Sequence, residues 1–175
     1  MKNEEWIVEV DEQSNLVGKI DREIAHNLSN LKIHREVMCV FYTDSSHKSF
    51  VMQHRSMLKK QLPGMWTLSV TGHVDFEDLT ENDPDGYLTA AKREAKEEIG
   101  VEVKNLQLMG TILQKLPMNI AMMGIVVGEY DGKIKLDTEE VSEVKIYNKE
   151  SVLEISDKLT PGAKACLEYL GLISK

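Results

Sequence analysis

The feature that most constrains this chain is the stretch Ala90-Ala91-Lys92-Arg93-Glu94-Ala95-Lys96-Glu97-Glu98-Ile99-Gly100. Leu88, Ala91, Ala95 and Ile99 recur at helical spacing and form one apolar stripe. Gly100 stands where a helix stop is expected. Glu94, Glu97 and Glu98 are related by i,i+3 and i,i+4 steps, so they share a second face beside the apolar one. Three neighbouring carboxylates repel one another unless a cation sits among them. Hard oxygen donors in that arrangement suit Mg²⁺ or Mn²⁺, with positions left for water and a phosphate-bearing substrate. The alternative is an acidic, solvated helix face, since charge runs at helical spacing are common.

The run Arg93, Glu94, Ala95, Glu97, Glu98, Gly100, Val101 resembles the C-terminal half of the Nudix box, Gly-x5-Glu-x7-Arg-Glu-(apolar)-x-Glu-Glu-x-Gly-(apolar), and matches that half completely. Counting back seven intervening residues from Arg93 reaches Asp85, where the family has Glu. The opening glycine is read as Gly72, in Ser69-Val70-Thr71-Gly72-His73-Val74. That places some seven extra residues within Asp75 to Pro84, a stretch rich in Asp, Glu, Asn and Pro, as a surface loop should be. The box then spans about residues 72–101 of a single domain covering 1–175.

Size and composition fit one soluble globular domain with a full core: 42% of residues are hydrophobic and 29% charged. The net charge of −8 argues against general binding to nucleic acid or anionic membranes. It does not exclude a nucleotide substrate, because a bound metal supplies local positive charge. Cys39 and Cys166 form no metal-finger spacing, and a reducing cytoplasm fits them. Met1 to Trp6 carries no signal-peptide pattern, and the longest apolar run, Ile120 to Val127, is too short to span a bilayer.

Trp6 to Asp11 and Leu16 to Ile20 read as a hairpin around the polar turn Glu12 to Asn15, followed by a short helical turn over Asp21 to Asn27. His34 to Tyr42, Ser49 to His54 and Trp66 to Val70 read as strands. After the helix, Val101 to Gln114 reads as one or two strands, Asn119 to Tyr130 as a buried strand and Val144 to Tyr147 as another. Asn148 is a cap for a short helix over Lys149 to Ile155, and Thr160-Pro161 starts a last helix that stops near Gly171. Cys166, Leu167 and Leu170 are its expected buried stripe, with Cys166 read as a small core residue. Strands, helix, strands and closing helices give an α/β/α sandwich with a mixed sheet and an N-terminal hairpin. The resemblance implies the same fold.

The resemblance also assigns roles. Glu97 and Glu98 are metal ligands, Glu94 a ligand or general base, Gly72 a further member of the metal set, and Arg93 with Asp85 a structural pair steadying loop against helix; Glu140, from its position before a strand, is a candidate extra metal ligand or base. The plainer alternative for Glu140 is a surface turn carboxylate. The run "QHRSMLKKQLPGMW" is similar to the Nudix subgroup that includes isopentenyl diphosphate isomerase. In that subgroup the Arg and first Lys hold a diphosphate, here Arg55 and Lys59, with Lys60 alongside; a solvated basic loop is the plainer alternative. His26, His34 and His73 match positions where those isomerases bind a second metal, and His73, directly after Gly72, is expected to face the site. The isomerase Glu-x-Glu pair is missing from Pro117 to Met122, and Thr71 stands at the catalytic Cys position. Trp66, Phe76 and Tyr87 are candidates to stack on a base, or packing residues. Three functions are therefore expected to compete: a Mg²⁺-dependent hydrolase of a nucleotide or nucleoside diphosphate derivative, an isopentenyl diphosphate isomerase, and a catalytically silent nucleotide-binding module. A homodimer is the family expectation.

Overall fold

A computed structural model describes residues 5–174; residues 1–4 of the N-terminal stretch lie outside the described residues. The elements are β1 (Trp6–Val10), β2 (Leu16–Asp21), α1 (Arg22–Ala25), β3 (His34–Tyr42), β4 (Ser49–Arg55), β5 (Trp66–Thr67), β6 (Val70–His73), α2 (Tyr87–Glu98), β7 (Glu102–Leu116), β8 (Asn119–Asp131), β9 (Val141–Asn148) and α3 (Pro161–Tyr169). Short 3₁₀ turns cover Phe76–Asp78 and Ser151–Lys158. No helix among the described residues is long and apolar enough to cross a membrane.

β3 organises the sheet. It runs antiparallel to β1, β4 and β6 and parallel to β8, pairing with β8 along its whole length from His34↔Ala121 to Tyr42↔Glu129. A parallel pair needs a long crossover, and here it carries the chain through β4 to β7. The near-continuous apolar run of β3 follows from burial on both faces. Val37, Cys39 and Phe41 pack against α2, while Met38, Val40 and Tyr42 join the core under α3. The result is the expected α/β/α sandwich with a mixed sheet.

Local chemistry explains the elements near the site. The Asp11 side chain accepts from the backbone N–H groups of Gln13 and Asn15, closing the β1–β2 turn. Asp21 caps α1, and Thr160 caps α3 with Pro161 at its first position. Asn148 Oδ1 accepts from the N–H of Glu150 and Ser151, but the turn it starts is 3₁₀ rather than α-helical. α2 ends at Gly100, whose φ of 67° is the left-handed conformation that glycine adopts without Cβ strain. Cys166 and Leu167 of α3 are buried.

One strand divides. Trp66 to Val70 reads as continuous, yet Trp66 and Thr67 pair with β4 while Val70 onward pairs with β3. Ser69 sits at the changeover. Its hydroxyl accepts from Phe41 N–H at 2.7 Å and donates to the Val51 carbonyl at 2.5 Å. One side chain thus bridges β3 and β4 where their direct pairing lapses.

Candidate active site

α2 carries the glutamates to the sheet. Gly72 of β6 is the contact point: a Cβ there would lie 2.0 Å from Glu94 Oε1, so only glycine admits the carboxylate. Glu98, 5% exposed, is deeper. Its Oε2 accepts from Gln53 Nε2 at 2.8 Å and from Thr71 N–H at 3.3 Å. Burial, then the neighbouring Glu94 charge, pushes the Glu98 carboxyl up to about 8. Burial pushes Glu94 up to about 7, against the pull of Arg93. Glu97 lies towards solvent, 59% exposed. Buried Glu98 and half-buried Glu94 on one helix, with Arg93 meeting only the latter, are a donor set that fits a hard divalent cation.

Arg93 is the hub of this side. It donates to Glu94 Oε1 at 2.8 Å and Glu97 Oε2 at 3.2 Å through Nη1, and to the His73 carbonyl at 2.9 Å through Nη2. Its strongest partner is Asp78, at 2.7 Å from Nη2 and 3.2 Å from Nε, with Asp75 3.3 Å away. Burial opposes the guanidinium charge, but these carboxylates outweigh it and hold its pKa above the ordinary value. Burial pushes Asp75 up to about 6 despite Arg93.

These contacts correct the expected pairing of Arg93 with Asp85. Asp85 instead meets Arg35, with Nη2 to Oδ1 at 2.9 Å; Arg35 also donates to the carbonyls of Asp85 and Ser14. Asp78 follows Gly72 after five residues (73–77), which is the box spacing counted from its first half. The extra residues therefore follow Asp78 rather than precede the carboxylate. They form a Thr80–Asp83 turn whose Asp83 side chain accepts from Thr89 N–H at the start of α2.

The three expected histidines come together, joined by Glu36. The donor atoms of His26, His34, Glu36 and His73 all lie within 4.8 Å of one another, the group with this property among the described residues. His26 Nε2 and His73 Nε2 are 2.9 Å apart, and His34 Nε2 is 3.2 Å from Glu36 Oε1. His34 Nδ1 donates to the Lys32 carbonyl, the kind of contact that fixes the tautomer of a metal-binding imidazole. Asn119 Nδ2 donates to Glu36 Oε1 at 2.8 Å. His26 Nδ1 and Asn119 Oδ1 are buried without a hydrogen-bond partner among the described residues. Burial lowers His73 well below the ordinary histidine value and lowers His26 too. Burial opposes ionisation of Glu36, but His34, His73 and Asn119 hold it down at about 2. Imidazoles with one carboxylate fit a borderline ion such as Zn²⁺ or Fe²⁺ better than Mg²⁺.

His73 does not face the glutamates. Val70, Gly72 and Val74 turn towards α2, so Thr71 and His73 turn to the opposite face of the strand. Glu36 is the cross-strand partner of His73 and lies two residues beyond His34 on β3. That period of two, with the histidine strand pairing, was the signal available for Glu36. Asn119 occupies the stretch that lacks the isomerase carboxylates. Gln53, Asp75 and Asp78 carry no motif signal of their own on a count from Arg93.

The basic loop folds on itself. Arg55 Nε and Nη2 donate to the carbonyls of Gln61 and Leu62, while Lys59 pairs with Glu140. Lys60 is exposed. Trp66 packs edge-on between His54 and Tyr147, and buried Tyr87 donates to the Met122 carbonyl. Phe76 packs against the α2-side core. These aromatics are thus packing residues.

The NUDIX domain model matches residues 32–170. An isopentenyl-diphosphate Delta-isomerase from Salmonella paratyphi B is 33% identical over 103 residues, 59% of this chain and 51% of the relative, so the chain spans about half the length of the curated relatives it matches. A crystal structure from Deinococcus radiodurans superposes with a TM-score of 0.70 at 18% identity, covering 94% of this chain and 98% of that one. The NUDIX domain of Shewanella oneidensis NrtR, solved with ADP ribose, gives 0.60 at 17% identity over 78% of this chain and 84% of that one. The family match extends over most of the chain, including Gly72, Asp78, Arg93 and the α2 glutamates, and the chain belongs to the NUDIX domain family.

Proposed function

We propose that the chain is a divalent-cation-dependent hydrolase that cleaves the diphosphate bond of a nucleotide or a nucleoside diphosphate derivative. The observation that carries this is the pair of buried Glu98 and half-buried Glu94, the latter set against Gly72 and braced by Arg93. Glu98, Glu94 and Glu97 would hold Mg²⁺ or Mn²⁺, which when bound neutralises phosphate oxygens and makes water a better nucleophile at neutral pH. The chain's own residues do the rest. Arg93 fixes the helix against β6 through the His73 carbonyl. Lys59, held by Glu140 and close enough for its charge to act on Glu98, is a cation that can exchange its carboxylate partner for a phosphate. Arg55 shapes the loop that presents Lys59. The free, buried Cys39 and Cys166 fit a cytoplasmic setting.

The histidine cluster is proposed as a second metal centre, with His26, His34, His73 and Glu36 as ligands. It favours a second reading, an isomerase relative, which Thr71 at the cysteine position opposes, since a hydroxyl is a poor proton donor to carbon.

The deciding experiment incubates the protein and Glu98→Gln with Mg²⁺ and a panel: nucleoside diphosphate sugars, dinucleoside polyphosphates, ADP-ribose, nucleoside di- and triphosphates and isopentenyl diphosphate. Mass spectrometry reads the products. Nucleotide cleavage that the variant loses supports the hydrolase. Formation of dimethylallyl diphosphate instead replaces it with the isomerase, and turnover of neither overturns both.

A further inference from the structure

We propose that Gln53 is a positioning residue for the α2 cation site: its amide decides which oxygen of Glu98 is left to meet the cation. The inference rests on the hydrolase reading above and adds a residue to it.

Gln53 is 1% exposed in the middle of β4. Its backbone is paired on both sides, with Thr67 of β5 and Val144 of β9. Phe50 and Met52 face the α3 core, so Gln53 faces α2. A glutamine is unusual at so buried a position unless its amide is satisfied. Here Gln53 Nε2 donates to Glu98 Oε2, the direction required once a cation holds the carboxyl ionised, since a carboxylate only accepts.

Both donors, Gln53 Nε2 and Thr71 N–H, converge on the same oxygen, Oε2. Oε1 takes no hydrogen bond among the described residues, and it is not among the buried atoms left without a partner, so it keeps contact with solvent. The carboxylate is therefore one-sided. Oε2 is committed to the protein and Oε1 is presented outward. Thr71 N–H belongs to the β6 backbone and holds its place through the β3 ladder. Gln53 is the side chain in this arrangement, and the shorter of the two contacts is its own. Without it, Glu98 is free to rotate, share both oxygens, or draw back towards the β6 backbone.

Partners of this kind typically set metal affinity within a factor of 10–100. Gln53→Met keeps the length and apolar bulk of the side chain but removes the donor. The test measures Mn²⁺ binding by electron paramagnetic resonance, counting the fraction that excess Mg²⁺ displaces. That fraction separates the oxygen-donor site from the imidazole cluster, which discriminates against Mg²⁺. Thermal unfolding of the metal-free protein and a split of kcat from substrate KM accompany it.

Gln53→Met is expected to weaken the Mg²⁺-displaceable Mn²⁺ at least about tenfold and to lower kcat, with substrate KM and metal-free melting temperature little changed. In a Glu98→Gln background the same substitution should add nothing further. Should Gln53→Met fail to fold, Gln53→Asn carries the same test, because it keeps the amide but withdraws it by one methylene. The proposal is overturned if the folded variant binds Mn²⁺ like wild type, as a merely structural glutamine would, or if it loses affinity equally in the Glu98→Gln background. Wild-type protein with no Mg²⁺-displaceable Mn²⁺ overturns the hydrolase reading itself, a result seen without any Gln53 variant.

Discussion

Two adjacent residues of β6 serve two different regions. Gly72 lies against the acidic face of α2, and His73 turns to the opposite face, among imidazoles. The α2 side offers hard oxygens with an arginine at its hub. The other side offers three imidazoles and one carboxylate whose donor atoms already converge. The contrast shows how a strand's period of two separates donor sets of different softness by a single residue. It also shows two routes to a candidate site. The glutamates are fixed by helix periodicity, whereas the histidine cluster is assembled from α1's end, β3 and β6 by strand register.

The comparison breaks most sharply at Arg93. Arg93→Ala removes the only cation contacting Asp78 and Glu94 among the described residues. It should destabilise the protein by about 3 kcal/mol, because a mostly buried carboxylate loses its partner; urea unfolding reads this. A loss under about 1 kcal/mol would show that Arg93 is no hub.

Next is Glu98→Gln. Activity should fall on the order of a hundredfold or more while the histidine cluster keeps its metal affinity. The same variant sharpens the pH behaviour. Glu98 is raised from its ordinary 4.5 to about 8. A carboxyl raised in the folded state contributes stability that is complete below the unfolded value and is lost as pH rises through the folded one. Above about pH 6.5, where the buried histidines are neutral in both states, metal-free protein should therefore melt at progressively lower temperature up to about pH 8, with Glu94 adding to the lower part of that window. Glu98→Gln should flatten the slope, and Mg²⁺ should restore the melting temperature of wild type. A wild-type profile flat from about pH 6.5 to 8, or one that Glu98→Gln leaves unchanged, would remove the electrostatic case for the site.

On the other face, Glu36→Gln should weaken Zn²⁺ or Mn²⁺ retention about tenfold, read by elemental analysis after dialysis, and leave Mg²⁺-dependent turnover intact. The smallest effect on activity is expected at Asp85→Ala, because Asp85 meets Arg35 and not Arg93. Stability falls there, since Arg35, 3% exposed, loses its ion partner, but turnover should hardly change, against a clear loss of both stability and activity for Asp78→Ala. Equal effects at the two positions would undo the corrected pairing.

Much of the fold was legible because local chemistry and pattern agree. The apolar run His34 to Tyr42, the Thr160-Pro161 cap and the Glu94/Glu97/Glu98 spacing each point to the element that forms. The division at Ser69 was not, because it depends on one hydroxyl reaching two other strands. Counting back from Arg93 reaches Asp85, but an insertion makes any count valid from one end only; the Arg93 ion pair, a tertiary contact, selects Asp78. Glu36 and Gln53 were missed for the same reason. Each is an ordinary strand residue until register sets it beside His73 or Glu98.

The most direct test of this two-sided arrangement is anomalous X-ray diffraction from crystals grown with Mn²⁺ and with Zn²⁺. The account expects a Mn²⁺ peak beside Glu98 Oε1 on the α2 face, displaced by Mg²⁺, and a Zn²⁺ peak among His26, His34, Glu36 and His73 on the other. No peak at Glu98, or both ions confined to the histidine cluster, would contradict it.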